Sequence, residues 1–327
     1  TLLAYYFSDV WVYAVNADRQ GARQARVGKS AGIRGQIKSI LDGLEKPGAQ
    51  APDAALSRLG QTLLGSFAGS LRERLYLLPS GPLKGFPFDA LRREGDYLAA
   101  KHGLVNLDSL RSLTDRPGAI DRDYAQRVFV AGNPRAGRDL FSYGVSSSEE
   151  IEAVRDRFVG GGLHSVQGVA LRGDEFDDVR YSEAALIHLA MPGRVDLARP
   201  ANSRFLLSGE RESPTAEFLS PENLRSLPVR AQMVVMSGTA FTNRAGSDFG
   251  SRLGLVNDMQ IAGARQVIAS LWPAGDAETA RLVSEFYRRL GEDRDVAKAL
   301  FEARRSMMNA QGGANVLSWA GFQLFVR

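Results

Sequence analysis

The run AQMVVMSGTAFTN, Ala231 to Asn243, constrains this chain more than any other stretch. Met233 to Met236 are consecutive apolar residues, and they lead straight into Ser237, Gly238 and Thr239. A short continuous apolar run broken by small residues suits a parallel strand buried on both faces, with a loop at its carboxyl end. RVFVAGNP (127–134), ALIHLAMPG (185–193) and QVIASLWPAGD (266–276) have the same form. Helix-period spacers separate these runs, so the pattern predicts an α/β sheet. In such sheets ligand and catalytic groups gather outside the carboxyl ends of the strands. Function is therefore expected in the loops that follow these runs.

With 327 residues, the chain has room for one large α/β domain or two moderate ones. A hydrophobic content of 44% and a charged content of 24% suit a folded globular protein rather than a disordered one. The net charge is only +4, and the arginines are scattered among acidic residues. Without a basic stripe interleaved with aromatics, nucleic acid is not an expected partner. No apolar run reaches the length of a membrane span, and no secretory leader pattern opens the chain. No membrane partner is expected, and the cytoplasm is the default location. Thr1 stands where an initiator Met would, which is expected of a piece of a longer protein. The chain has no cysteine, so disulfides, thiolate metal sites and a cysteine nucleophile are all removed.

In chain order, Leu2 to Phe7 and Val10 to Val15 predict a β-hairpin. Ile33, Ile37, Ile40, Leu41 and Leu44 predict a helix that stops at Pro47-Gly48, and Pro52 to Arg72 a second one. RLYLLPSGPLKGFPFDAL predicts a strand, a turn and a hydrophobic turn, and Gly103 to Leu107 a further strand. The polar link Thr114 to Tyr124 is the best internal boundary, giving a smaller α/β lobe (1–120) and a larger unit (121–327). Beyond it, SSEEIEAVRDRF is a helix with Ser148 as its N-cap, and LHSVQGVAL is an edge element. Arg194 to Pro214 reads as a long irregular span, followed by the helix LSPENLRSL. GLVNDMQIAGA, DAETARLVSEFYRRL and RDVAKALFEARRSMMN predict helices, and SWAGFQLFV a closing strand. The larger unit reads as a three-layer α/β sandwich.

LYLLPSGPLKGFPFDAL, RVFVAGNP, SSEEIEAVRDRF, ALIHLAMPG, VVMSGTAF, AGARQVIASLWPAGD, SEFYRRL and SWAGFQLFV follow one another in the order seen in CHAT domains. The chain resembles this family over nearly its whole length. CHAT domains are caspase-like peptidase domains of the clan that includes caspases, separases and gingipains. The resemblance implies a caspase-like αβα sandwich with a mostly parallel sheet and helices on both faces. It also implies that the first lobe is a degenerate caspase-like half, and that helical repeats belong to the longer protein.

Family chemistry rests on a His/Cys dyad. The histidine ends a strand in a pattern like H-x-A-T-H-G, and the cysteine ends the next strand in a pattern like L-S-A-C. Laid on this chain, Pro192 stands at the histidine position and Thr239 at the cysteine position. No catalytic residue is therefore expected, and the dyad positions are read as degenerate. His188 matches the first histidine of the pattern and lies roughly 13 Å upstream of Pro192 along a strand, so a hydrogen-bonded core role is expected of it. Gly193, Ser237, Gly238 and Asp276 are candidates to line the remaining groove, with Asp276 read first as an N-cap for a helix beginning at Ala277. The N–H groups of Gly193 and Thr239 are candidates for an empty oxyanion cradle. Asp139, Glu149 and Glu150 read as surface or helix-start carboxylates, and Met307, Met308 and Trp319 as core. His102 and His164 lack metal-ligand spacing, and GNPRAG lacks the Lys-Ser/Thr of a phosphate loop, so no metal and no cofactor are expected. The sequence thus favours a pseudopeptidase that binds a protein or peptide. A divergent hydrolase using Thr239 or Ser237 with an unconventional base is the alternative.

Overall fold

The structure, a computed structural model, describes residues 1–44, 52–114, 118–134, 148–159, 162–168, 170–196, 200–208, 218–242, 253–272, 274–310 and 315–327. Strands β1 (Leu2–Phe7), β2 (Trp11–Asp18) and β3 (Gly21–Lys29) open the chain as an antiparallel meander. Helices α1 (Ser30–Leu44) and α2 (Asp53–Leu64) follow. They bury the predicted apolar stripe, Ile33, Ile37, Ile40, Leu41 and Leu44 of α1 included. Next come β4 (Arg74–Leu78), the short pair β5 (Arg92–Arg93) and β6 (Asp96–Tyr97), α3 (Leu98–Lys101) and β7 (Gly103–Leu107).

The second half begins with β8 (Val128–Pro134), α4 (Ser148–Arg157), β9 (Leu163–Gly168), α5 (Val179–Ser182) and β10 (Leu186–Ala190). Strands β11 (Gly193–Asp196), β12 (Arg204–Leu206) and β13 (Phe218–Leu219) lead to α6 (Pro221–Ser226), β14 (Met233–Met236) and β15 (Thr239–Thr242). The chain closes with α7 (Gly254–Ala262), β16 (Gln266–Ser270), α8 (Asp276–Asp293), α9 (Val296–Asn309) and β17 (Phe322–Val326). Among the described residues, no helix is long and apolar enough to cross a membrane.

One sheet runs through both halves in the order β3-β2-β1-β4-β7-β17-β16-β14-β10-β8-β9. Apart from the antiparallel β2 and β3 at one edge, it consists of two parallel blocks. Strands β1, β4, β7 and β17 run one way, and β16, β14, β10, β8 and β9 run the other. They meet where β17 pairs antiparallel with β16. Every residue of β7, β10, β14, β16 and β17 is buried, as continuous apolar runs covered on both faces require. Successive side chains alternate between faces. On one face His188 reaches α4 and α8. On the other Phe129 packs edge-on against Tyr181 of α5. The result is a three-layer αβα sandwich with a mostly parallel sheet.

A buried ionic knot ties the halves together. Asp89, from the FPFDA turn, pairs with Arg304 of α9 at 2.5 Å, and both side chains are almost wholly buried. The Gln323 amide of β17 donates to the same carboxylate at 2.5 Å, and Asn106 of β7 donates to Gln323 at 3.2 Å. Burial raises the Asp89 carboxyl pKa and lowers that of the Arg304 guanidinium, each opposed by the charge of the other.

Three local expectations change. Residues 21–29 form an edge strand that the sequence pattern did not announce, because GARQARVGK has no apolar alternation. The stretch read as irregular after Arg194 contains β11 and β12 within its described part. Thr239 opens a new strand, β15, where a loop was expected.

Candidate functional site

The candidate site lies where β10 and β14 end side by side. These strands pair in parallel from Leu186↔Met233 to Leu189↔Met236. The Ser237 N–H then donates to the Leu189 carbonyl at 3.2 Å. Both strands break at one level, β10 at Met191-Pro192 and β14 at Ser237-Gly238. Pro192 has no N–H to give a ladder, so the break on its side follows from its chemistry. Gly238 answers it on the other side, since a Cβ there would overlap the Met191 carbonyl. Pairing resumes beyond the break, in parallel, from Gly193↔Thr239 to Asp196↔Thr242. β12 and β13 add antiparallel to give a small second sheet, β13-β12-β11-β15. The Pro192 carbonyl accepts the Leu206 N–H at 2.8 Å, which fastens β12 over the break.

This geometry brings most of the predicted positions together. Pro192 and Thr239 lie on adjacent paired segments, with Gly193 opposite Thr239 in register. Pro192 is half-buried, and Gly193 and Ser237 are buried. Among the described residues the Ser237 hydroxyl has no hydrogen-bond partner. The Gly193 N–H donates to the Gly238 carbonyl at 2.8 Å, which removes it from the expected oxyanion cradle. The side chain of Thr239 lies outside what the structure describes, as does that of Asp276. Helix α8 begins at Asp276 itself with Gly275 as N-cap, so the expected N-cap role of Asp276 gives way to a first-turn position.

His188 points away from this break into the layer of α4 and α8. Its ring is fully buried, with Nδ1 2.9 Å from the Tyr287 hydroxyl and Nε2 3.0 Å from Glu150 Oε1. Burial, then the nearby Glu150 charge, pushes the Tyr287 hydroxyl well above its usual range, so it stays protonated. A neutral ring satisfies all three groups: Tyr287 donates to Nδ1, and Nε2–H donates to the carboxylate. Both nitrogens are spent on this chain, and neither is left to take a proton at the strand end. Glu150 stands in the first turn of α4, the helix-start place expected of it, but it is buried rather than on the surface. It sits beside Ile151 and Val154 on the buried stripe of α4, and that placement was the signal in the sequence.

The remaining candidates disperse. His102 Nδ1 lies 2.6 Å from the Arg72 carbonyl, and His164 sits between Glu175 and Arg180. Among the described residues, no three His, Cys, Asp or Glu side chains cluster to hold a metal ion. Asp139 lies outside the described residues. Met307 and Trp319 are buried in the core.

A human relative, tetratricopeptide repeat protein 28, is 25% identical over 294 residues, which is 78% of this chain and 12% of that protein. The chain thus spans about an eighth of that relative's length. Among solved structures, the separase of the Saccharomyces cerevisiae separase–securin complex is similar at 12% identity and a TM-score of 0.49, over 82% of this chain and 16% of that one. Porphyromonas gingivalis RgpB, in a complex of its pro- and mature domains, is similar at 11% identity and a TM-score of 0.44, over 89% and 70%. The CHAT domain family model matches residues 50–327, from just before α2 through the last strand, and the chain belongs to that family.

Proposed function

We propose that this CHAT domain has lost its peptidase chemistry and acts as a caspase-like binding or regulatory module for a protein or peptide partner. The single observation that carries the reading is the pair of residues at the strand break, Pro192 and Thr239, in place of a base and a thiol. The state of the groups around them supports it. Both His188 nitrogens are engaged elsewhere, and Gly193 N–H is spent on Gly238. A threonine hydroxyl attacks a peptide only with an adjacent base or an N-terminal amine. The division into a companion lobe, 1–120, and a core, 121–327, belongs to the same reading. So does a place for the chain beside helical repeats in a longer protein, in keeping with the name and length of the human relative.

The test compares the natural chain with the Pro192→His, Thr239→Cys double variant. Each is exposed to a diverse peptide library, a hydroxyl-reactive phosphonate and a thiol-reactive peptide electrophile. The natural chain is expected to cleave nothing and to carry no label. Phosphonate on Thr239 or Ser237, or cleavage that Thr239→Ala abolishes, overturns the reading in favour of a hydrolase. Labelling of the double variant alone shows that the groove still accepts peptides.

A further inference from the structure

The two parallel blocks give the sheet two poles. The strand break lies at the carboxyl ends of β10 and β14. The carboxyl ends of β1, β4, β7 and β17 open at the opposite pole, where an α/β sheet also places ligands. Two adjoining cavities occur there, of about 410 Å³ and about 100 Å³, sharing Asp108 and Val326 in their walls. Arg111, Arg265 and Arg327 line the larger one, and Lys84 the smaller.

Charge at this pole is unbalanced. Arg225, Arg288 and Arg289 each have carboxylate partners elsewhere in the molecule. Lys84, Arg111 and Arg265 are exposed, and among the described residues none of them is in an ion pair. The Arg327 guanidinium donates to the Gln260 carbonyl at 2.8 Å. Among the described residues, Asp108 is the one side-chain carboxylate in the two linings. Cations gathered around one concavity repel each other and focus a positive potential into it. An anion relieves that repulsion, and the planar guanidinium fork matches phosphate oxygens two at a time. The larger volume lies in the range of small-ligand pockets.

We propose that this pole binds a small phosphate compound carrying at least two phosphate groups, held by Arg111 and Arg265 with Lys84 at the adjoining cavity. The reading does not depend on the loss of peptidase chemistry at the other pole. Calorimetric titration of the full chain with pyrophosphate, ADP and citrate, at low and moderate salt, tests it. The expected result is saturable 1:1 pyrophosphate binding that weakens as salt rises. Arg111→Ala or Arg265→Ala is expected to weaken it tenfold or more. Both side chains are exposed and, among the described residues, without ion pairs, so the thermal midpoint of each variant should match the parent; Lys84→Ala is a third variant judged the same way. ADP binding at least tenfold tighter than pyrophosphate assigns the diphosphate to a nucleotide, and equal binding assigns it to the diphosphate alone. No saturable heat, variants that bind as the parent does, or citrate binding equal to pyrophosphate overturns the proposal.

Discussion

At His188 the imidazole lies between a tyrosine hydroxyl and a glutamate, inside a layer where all three side chains are buried. Removing the ring strands the Glu150 carboxylate and the Tyr287 hydroxyl together. His188→Ala is therefore expected to cost roughly 3 kcal/mol of unfolding free energy, and His188→Gln less, since its amide can still donate to Glu150. Urea unfolding of the three proteins measures this, and an alanine variant as stable as the parent would contradict the network. The sequence announced a hydrogen-bonded histidine but not its partners. Tyr287 lies 99 residues away and Glu150 38, and neither separation leaves a local signature. Gly238 marks the opposite limit of legibility. A glycine after a strand reads as loop, whereas here it lets two chain segments touch and continue as strands.

The elements followed the sequence wherever burial decided them. β14 is an unbroken apolar run, β10, β16 and β17 are mostly apolar, and α1 and α9 carry clear helical stripes, so composition and period gave their type. β3 failed that test, being a mostly polar edge strand that pairs with β2 and puts only Ala25 and Val27 against the core. β11 and β15 were hidden because each depends on the other across a break. The turn carrying Asp89 belongs with these non-local features. Its carboxylate is buried only because α9 and β17 bring Arg304 and Gln323 to it. Arg304→Ala leaves that charge unpaired and is expected to cost about 3–5 kcal/mol. Pairing it with Asp89→Leu should recover most of the loss. Denaturant midpoints of the single and double variants decide, and a double variant no better than the single would show that the guanidinium's packing, not its charge, is what matters.

For the whole molecule, the seam between β16 and β17 outweighs the polar link near residue 120. β17 pairs with β16 on one side and β7 on the other, so the two lobes share a sheet. The intact chain is expected to melt in one transition by both circular dichroism and tryptophan fluorescence, and residues 121–327 alone to be insoluble or molten. Two separated transitions, or a cooperatively folded fragment, would show that the lobes are independent.

That seam also sets an order of assembly. Asn106 meets Leu324 across 218 residues of intervening chain. Closing so long a loop is paid for late, after local contacts have formed. During synthesis β7 must wait, with one flank open, until β17 has left the ribosome. Until β17 arrives, that exposed flank is open to wrong pairing, the liability of any unpaired strand edge.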